Sequence, residues 1–178
     1  EMKPVAGQSD HDCAAPAELL AQSTELGVTM IGVPEQLGGA VEERSAVTST
    51  LISETLAKGD MGLAVAVLAP AAVSTALGLW GDADQQATYL PEFVGENVPA
   101  AALAVMEPKP LFDPFQLDTK ATRNADGGFT LTGVKSLVPR AAEAELFVIA
   151  AELDGQPSLF IVEAKTEGVK VAPEPAMG

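Results

Sequence analysis

Cysteine, histidine, tryptophan and tyrosine each occur once in this chain of 178 residues. The single cysteine, Cys13, excludes an internal disulfide and fits a reducing, cytoplasmic setting. The single histidine, His11, leaves neither a Ser-His-Asp triad nor a His/Cys metal site to assemble, so no catalytic residue and no metal ligand is assigned. Asp10-His11-Asp12 reads as part of a solvated N-terminal tail. There is no G-x-x-x-x-G-K-[ST] loop and no G-x-G-x-x-G, so any nucleotide must be held by strand ends. Basic residues are scarce: ten Lys plus Arg against 25 Asp plus Glu leave a net charge of −15. Such a field repels phosphate backbones and excludes nucleic acid as a partner. Seven of the ten basic residues lie between Lys109 and Lys170, so the second half is more receptive to a phosphate-bearing ligand. The opening EMKPVAGQSDHD has no apolar run, and no signal peptide is expected there.

One long uncharged stretch is present. From Met61 to Gly81 no residue is charged, and its length would span a bilayer. It is rich in Ala, Gly, Ser and Thr, carries Pro70 in its middle, and is flanked by Asp60 and Asp82 instead of a Lys/Arg cluster. These features predict a buried core helix, with no membrane span.

Along the chain, helical spacing comes first and short strands follow. Helices are predicted over Ala15–Leu26, closed by Gly27; Glu42–Lys58, closed by Gly59; Leu63–Leu79, kinked at Pro70; and Asp84–Val94 after Asp82. Gly38-Gly39 reads as a turn linking helices. After Pro99 the candidate strands are Ala101–Met106, Lys120–Asn124, Phe129–Lys135, Glu145–Ala151, Ser158–Glu163 and Val169–Ala172. Turns at Asn124–Gly128, Asp154-Gly155 and Thr166–Gly168 separate them. This is the α+β class: a helical domain over residues 1–98, then an antiparallel β-barrel or sandwich over residues 99–178. The chain closes on Glu174-Pro175-Ala176-Met177-Gly178 with no helix after the last strand, and it reads as cut there.

Two apolar strands end abruptly in polar or proline-bearing segments, AALAVMEPKPLFD from Ala101 and GVKSLVPR from Gly133. Strand ends of this kind are where small barrels hold ligands. With Gly32–Gly39 (GVPEQLGG) and Trp80–Pro91 followed by Gly95-Glu96, they stand in the order of known motifs. Gly32–Gly39 resembles V-P-E-x-x-G-G, and Trp80–Pro91 is similar to G-[TS]-x-x-Q-[KR]-x-x-Y-L-P. Met106-Glu107-Pro108 with Asp113 resembles T-E-P-x-x-G-S-D, and Gly127–Lys135 resembles G-[GD]-[GY]-x-[LI]-x-G-x-K. Phe160–Met177 is similar to the closing strands that lead to a Met-Gly. In this layout, from about Leu20 to Gly178, the chain resembles the acyl-CoA dehydrogenase family.

The resemblance implies a helical N-terminal domain and a β-barrel middle domain that flanks FAD. It implies α,β-dehydrogenation of an acyl-CoA thioester, with the hydride passing to the flavin, whose chemistry the protein orients. It also implies a homo- or hetero-oligomer and an electron-transfer flavoprotein as acceptor. The family's C-terminal helical bundle, which carries the catalytic glutamate in most members, lies outside this sequence. The implied cofactor-binding positions are Leu103, Val105, Met106, Leu111, Phe112, Leu137, Val138 and Pro139. Several depart from the family pattern. Met106 replaces a threonine that hydrogen-bonds the flavin, and Leu111-Phe112 replace a Gly-Ser pair. Leu137 and Pro139 replace the tryptophan and threonine of W-I-T, and a proline lacks even a backbone N–H. Three readings therefore stand: part of an active FAD-dependent enzyme, a degenerate partner subunit that holds no flavin, or a non-enzymatic scaffold on the same fold.

Overall fold

The computed structural model describes residues 2–39, 42 and 44–174. The chain divides into two compact units, Glu1–Ala100 and Ala101–Gly178.

The first unit is helical. Helix α1 spans Lys3–Asp12, so the segment around His11 is a helix and not the tail expected from its polarity. Its apolar residues explain the difference, because Met2, Val5 and Ala6 pack on a core cluster of Leu19, Val28, Leu63 and Val67. Helix α2 is Ala17–Glu25, followed by Gly27 at φ 74° and a 3-10 turn over Val28–Gly32. Gly38, at φ 90°, ends the 3-10 turn Glu35–Leu37, so the Gly38-Gly39 pair is the expected turn. Helix α3 is Ala46–Ala57 and begins later than the Glu42 expected, because the Ser45 hydroxyl accepts from Thr48 N–H at 3.2 Å and caps it there.

Helix α4, Met61–Trp80, is capped by Asp60 accepting from Leu63 N–H at 2.8 Å, and it runs unbroken through Pro70. It is the one described helix long and apolar enough to cross a membrane. Its neighbours are α1, α2, α3, the Val28–Gly32 turn and α5 (Ala83–Tyr89), and Val67, Val73 and Leu77 are buried among them. One face of α4 is thus packed within the first unit, while Met61, Val65, Leu79 and Trp80 are exposed. Asp82 caps α5 in a reciprocal box with Gln85, and a 3-10 turn over Leu90–Phe93 follows. Two buried hydroxyls join these pieces: Ser74 Oγ donates to the Thr29 carbonyl at 2.9 Å, and Thr29 Oγ1 donates to the Phe93 carbonyl at 3.0 Å.

The second unit is a five-stranded sheet of β1 (Ala101–Ala104), β2 (Lys120–Arg123), β3 (Phe129–Thr132), β4 (Leu146–Leu153) and β5 (Gln156–Glu163). The sheet is mixed, which corrects the purely antiparallel expectation. β2–β3 and β4–β5 are antiparallel hairpins. β1 lies parallel to β4, with Ala101 opposite Leu146, and β2 also meets β4 in parallel at Lys120 and Glu152. β1 and β2 thus take successive stretches of one β4 edge while β5 takes the other. Covered along both edges, β4 reads LFVIAAEL and is mostly buried, the continuous apolar run of a central strand.

The hairpin turns follow from local chemistry. Asp154 and Gly155 both have positive φ, 53° and 82°, as a two-residue hairpin loop requires. The β2–β3 turn is closed by Asn124 N–H donating to the Gly128 carbonyl at 2.8 Å. β3 stops at Thr132, short of the expected Lys135, where Gly133 lies against Thr119 so closely that a Cβ would stand 2.5 Å from its hydroxyl oxygen. Val169–Ala172 is not a strand, another correction. Val169 N–H turns back to the Thr166 carbonyl, and the Val169 side chain packs on the cluster of Ala102, Ala144 and Phe147. The Pro175–Gly178 end of the sequence motif lies outside the described residues.

Candidate functional site

The residues past the end of β1 and those past the end of β3 are held side by side. The Met106 carbonyl accepts from Ser136 N–H at 3.0 Å, and the Val105 carbonyl accepts from Lys135 Nζ at 3.1 Å. Beyond Ala104, β1 therefore exchanges its strand neighbour for the segment after β3. This is also why its ladder ends before the expected Met106.

Beneath this junction lies a buried carboxylate. Glu107 is 4% exposed and accepts from Asp118 N–H at 2.7 Å, Thr119 N–H at 2.8 Å and Lys135 Nζ at 2.9 Å. Burial pushes this carboxyl up, but the hydrogen bonds from Asp118, Thr119 and Lys135 outweigh it and hold it well below the usual carboxylate range. Lys109 Nζ adds a contact to Glu107 at 3.3 Å, bonds Asp118 at 3.1 Å and donates to the Gln116 carbonyl at 2.5 Å. Burial pulls the Lys109 ammonium down, while Asp118 and Glu107 raise it above its ordinary value. The loop between β1 and β2 is ordered further by Asp113, which accepts from Phe115 N–H at 2.9 Å. At its tip Leu111 has φ 52° and a fully exposed side chain.

A second carboxylate grips the junction from later in the chain. Glu174 accepts from Ser136 Oγ at 2.5 Å and from Leu137 N–H at 2.7 Å. The hydrogen bonds from Ser136 and Leu137 hold it below the usual range against a smaller opposing effect of burial.

The positions singled out in the sequence fall into three groups. Met106 and Leu137 are exposed and belong to the junction, with half-buried Val105 beside them. Val138 packs against the Ala102–Phe147 cluster, and Pro139 next to it is half-buried. Leu103 alternates with buried Ala102 and Ala104 along β1, so its side chain takes the opposite face from Val138. Leu111 and Phe112 sit on the loop, the first exposed and the second half-buried. The sequence reading missed Glu107, Lys135, Ser136 and Glu174. A lone acid and a lone base at the ends of two apolar strands were an available signal for the Glu107–Lys135 pair. Nothing local marked Glu174.

Chemically, neither carboxylate is suited to remove a proton, because both are held ionised by donors that would have to be given up. Among the described residues no group of three or more His, Cys, Asp or Glu is placed to hold a metal. What the junction offers is an apolar surface of Met106 and Leu137 over a rigid polar base.

Comparison with known proteins matches this arrangement. The family model described as "Acyl-CoA dehydrogenase, N-terminal domain" matches residues 1–97, and "Acyl-CoA dehydrogenase, middle domain" matches residues 102–178. A probable acyl-CoA dehydrogenase of Bacillus subtilis is 32% identical over 93% of this chain and 28% of its own. An acyl-CoA dehydrogenase of Bacillus anthracis, solved in complex with FAD, superposes with a TM-score of 0.74 at 33% identity, covering 88% of this chain and 27% of the other. Butyryl-CoA dehydrogenase of Megasphaera elsdenii superposes at 0.78 with 26% identity, over 94% of this chain and 45% of the other. The chain thus spans less than half the length of these relatives. With both of its units matched in order, the chain belongs to the acyl-CoA dehydrogenase family.

Proposed function

We propose that this chain is the helical and sheet part of an FAD-dependent acyl-CoA dehydrogenase, with the catalytic base contributed from outside it. The reaction class is α,β-dehydrogenation of an acyl-CoA thioester. Acyl-CoA as substrate, an oligomeric assembly, an electron-transfer flavoprotein as acceptor and a cytoplasmic setting belong to the same proposal. So does the division into a domain over 1–98 and a domain over 99–178. The observation that carries it is the junction of the two strand ends, Met106 against Ser136 with Leu137 beside them, inside a chain of this family.

The residues present fit a flavin poorly. The Val105 and Met106 carbonyls are already engaged by Lys135 and Ser136, and Leu137 N–H is taken by Glu174. Met106 and Leu137 bring apolar contact without hydroxyl or ring stacking, and Pro139 brings no donor. This supports a chain that contributes a surface to the cofactor and does not hold it alone. It also favours, as a second reading, a partner subunit that leaves flavin to another chain.

Purification separates the two. A preparation that turns yellow once the segment carrying the catalytic base is supplied, and releases FAD on denaturation, supports the enzyme. A colourless one that acquires flavin only with a partner supports the second reading. One that never acquires it, with any added segment or partner, refutes both.

A further inference from the structure

Three consecutive residues, Lys135, Ser136 and Leu137, have their donors committed. Lys135 Nζ goes to Glu107 and the Val105 carbonyl, Ser136 N–H to the Met106 carbonyl, and Ser136 Oγ with Leu137 N–H to Glu174. The first commitments anchor the segment to the end of β1. They do not set the conformation of Leu137, whose φ of 52° puts a branched, non-glycine residue in the left-handed region. Such a conformation persists where its surroundings over-determine it. Strand pairing does not reach it, since β3 ends at Thr132. The group that does reach it is the Glu174 carboxylate, bonded across two adjacent donors.

We infer that Glu174 is the positioning residue of the Ser136–Pro139 turn, acting through Ser136 Oγ and Leu137 N–H to fix where Leu137 stands. It acts across a large sequence separation, because Val169 and Ala164 pack on the Ala102–Phe147 cluster and bring the closing segment back to the turn. Val138 packs on the same cluster, so the turn is pinned on one side by apolar contact and on the other by the carboxylate. Leu137, 53% exposed, is thereby presented outward in one orientation. The value of this to a cofactor rests on the reading proposed above; the clasp itself does not.

The test is amide NMR on the whole chain without flavin. The Leu137 amide proton should lie downfield and shift as acid protonates Glu174, at a pH below the ordinary glutamate range. Other charged groups near the turn are Lys135 with Glu107, Lys109 and Asp118 beyond them, and the Arg140–Glu143 pair that follows. Glu174→Gln isolates the effect of Glu174 from theirs. It should abolish the titration yet keep the downfield position, since its amide oxygen still accepts. Glu174→Ala should move the signal upfield and speed its exchange about tenfold, the factor expected for one charge-assisted hydrogen bond. The β4 amides should be unchanged in both variants, which excludes general unfolding. A Leu137 signal indifferent to pH and to both substitutions overturns the assignment. The two ideas stay apart because they are read separately: a Leu137 amide that follows Glu174 supports the clasp whether or not the chain takes flavin, whereas the cofactor reading fails only if flavin is never acquired with an added segment or partner.

Discussion

Lys135 Nζ lies 2.9 Å from Glu107 Oε1, between side chains 9% and 2% exposed, and also donates to the Val105 carbonyl. A pair this deep gains little over an apolar substitute, but breaking it strands a charge. Glu107→Gln leaves one acceptor oxygen for the donors of Asp118, Thr119 and Lys135, and sets an NH2 group against one of them. Chemical denaturation should show a loss of about 3 kcal/mol or more. A change below about 0.5 kcal/mol would mean the pair is not buried in solution.

The same carboxylate makes stability pH-dependent in a definite direction. Its folded value is lowered, so the unfolded chain binds the proton more readily than the native one. The stabilisation is complete above the unfolded glutamate value, about 4.3, and is lost as pH falls from there toward the lowered folded value. Urea midpoints should drop through this acid window in the wild type and drop less in Glu107→Gln.

Flavin affinity should be weak and improvable. Titrating FAD into the free chain should leave flavin fluorescence nearly unchanged, because micromolar affinity requires about 8 kcal/mol and the polar contacts are missing or engaged. Met106→Thr restores a hydroxyl at a half-exposed position past the end of β1 and should tighten binding by up to about tenfold. Saturable micromolar quenching by the wild-type chain would contradict the poor fit of these residues to a flavin.

Two glycines should respond differently to alanine. A Cβ on Gly32 would stand 2.2 Å from the Thr75 backbone nitrogen, so the Val28–Gly32 turn must move off α4. Gly32→Ala should cost about 3 kcal/mol or more, as overpacking against backbone does. At Gly155 a Cβ meets open space, and the cost is that of a left-handed alanine at φ 82°, about 1 kcal/mol. Thermal unfolding of the two variants checks the order.

Much of the first unit was legible because its signals are local. Apolar spacing, Asp82 ahead of α5 and the punctuating Gly27 and Gly38 each act within a few residues, and the helices lie close to where they point. Helix α1 was missed because its polar surface conceals the few residues, Val5 and Ala6, that pack. In the second unit the Asn124–Gly128 and Asp154-Gly155 turns made both hairpins readable for the same reason.

The parallel pairing of β1 with β4 and of β2 with β4 was not readable. No turn joins those strands, and their register is decided by burying β4 along both edges, a property of the assembled sheet. The site divides in the same way. Its apolar members Met106 and Leu137 could be named from motif position, as departures from the family pattern. That Lys135 would meet Glu107 and that Glu174 would return to Ser136 and Leu137 depended on packing between distant segments. By itself the sequence determined most of the elements, their order and the chemistry of the strand ends. Only the tertiary structure decided which carboxylates hold those ends in place, because a hydrogen bond between distant residues exists only once the core has brought them together.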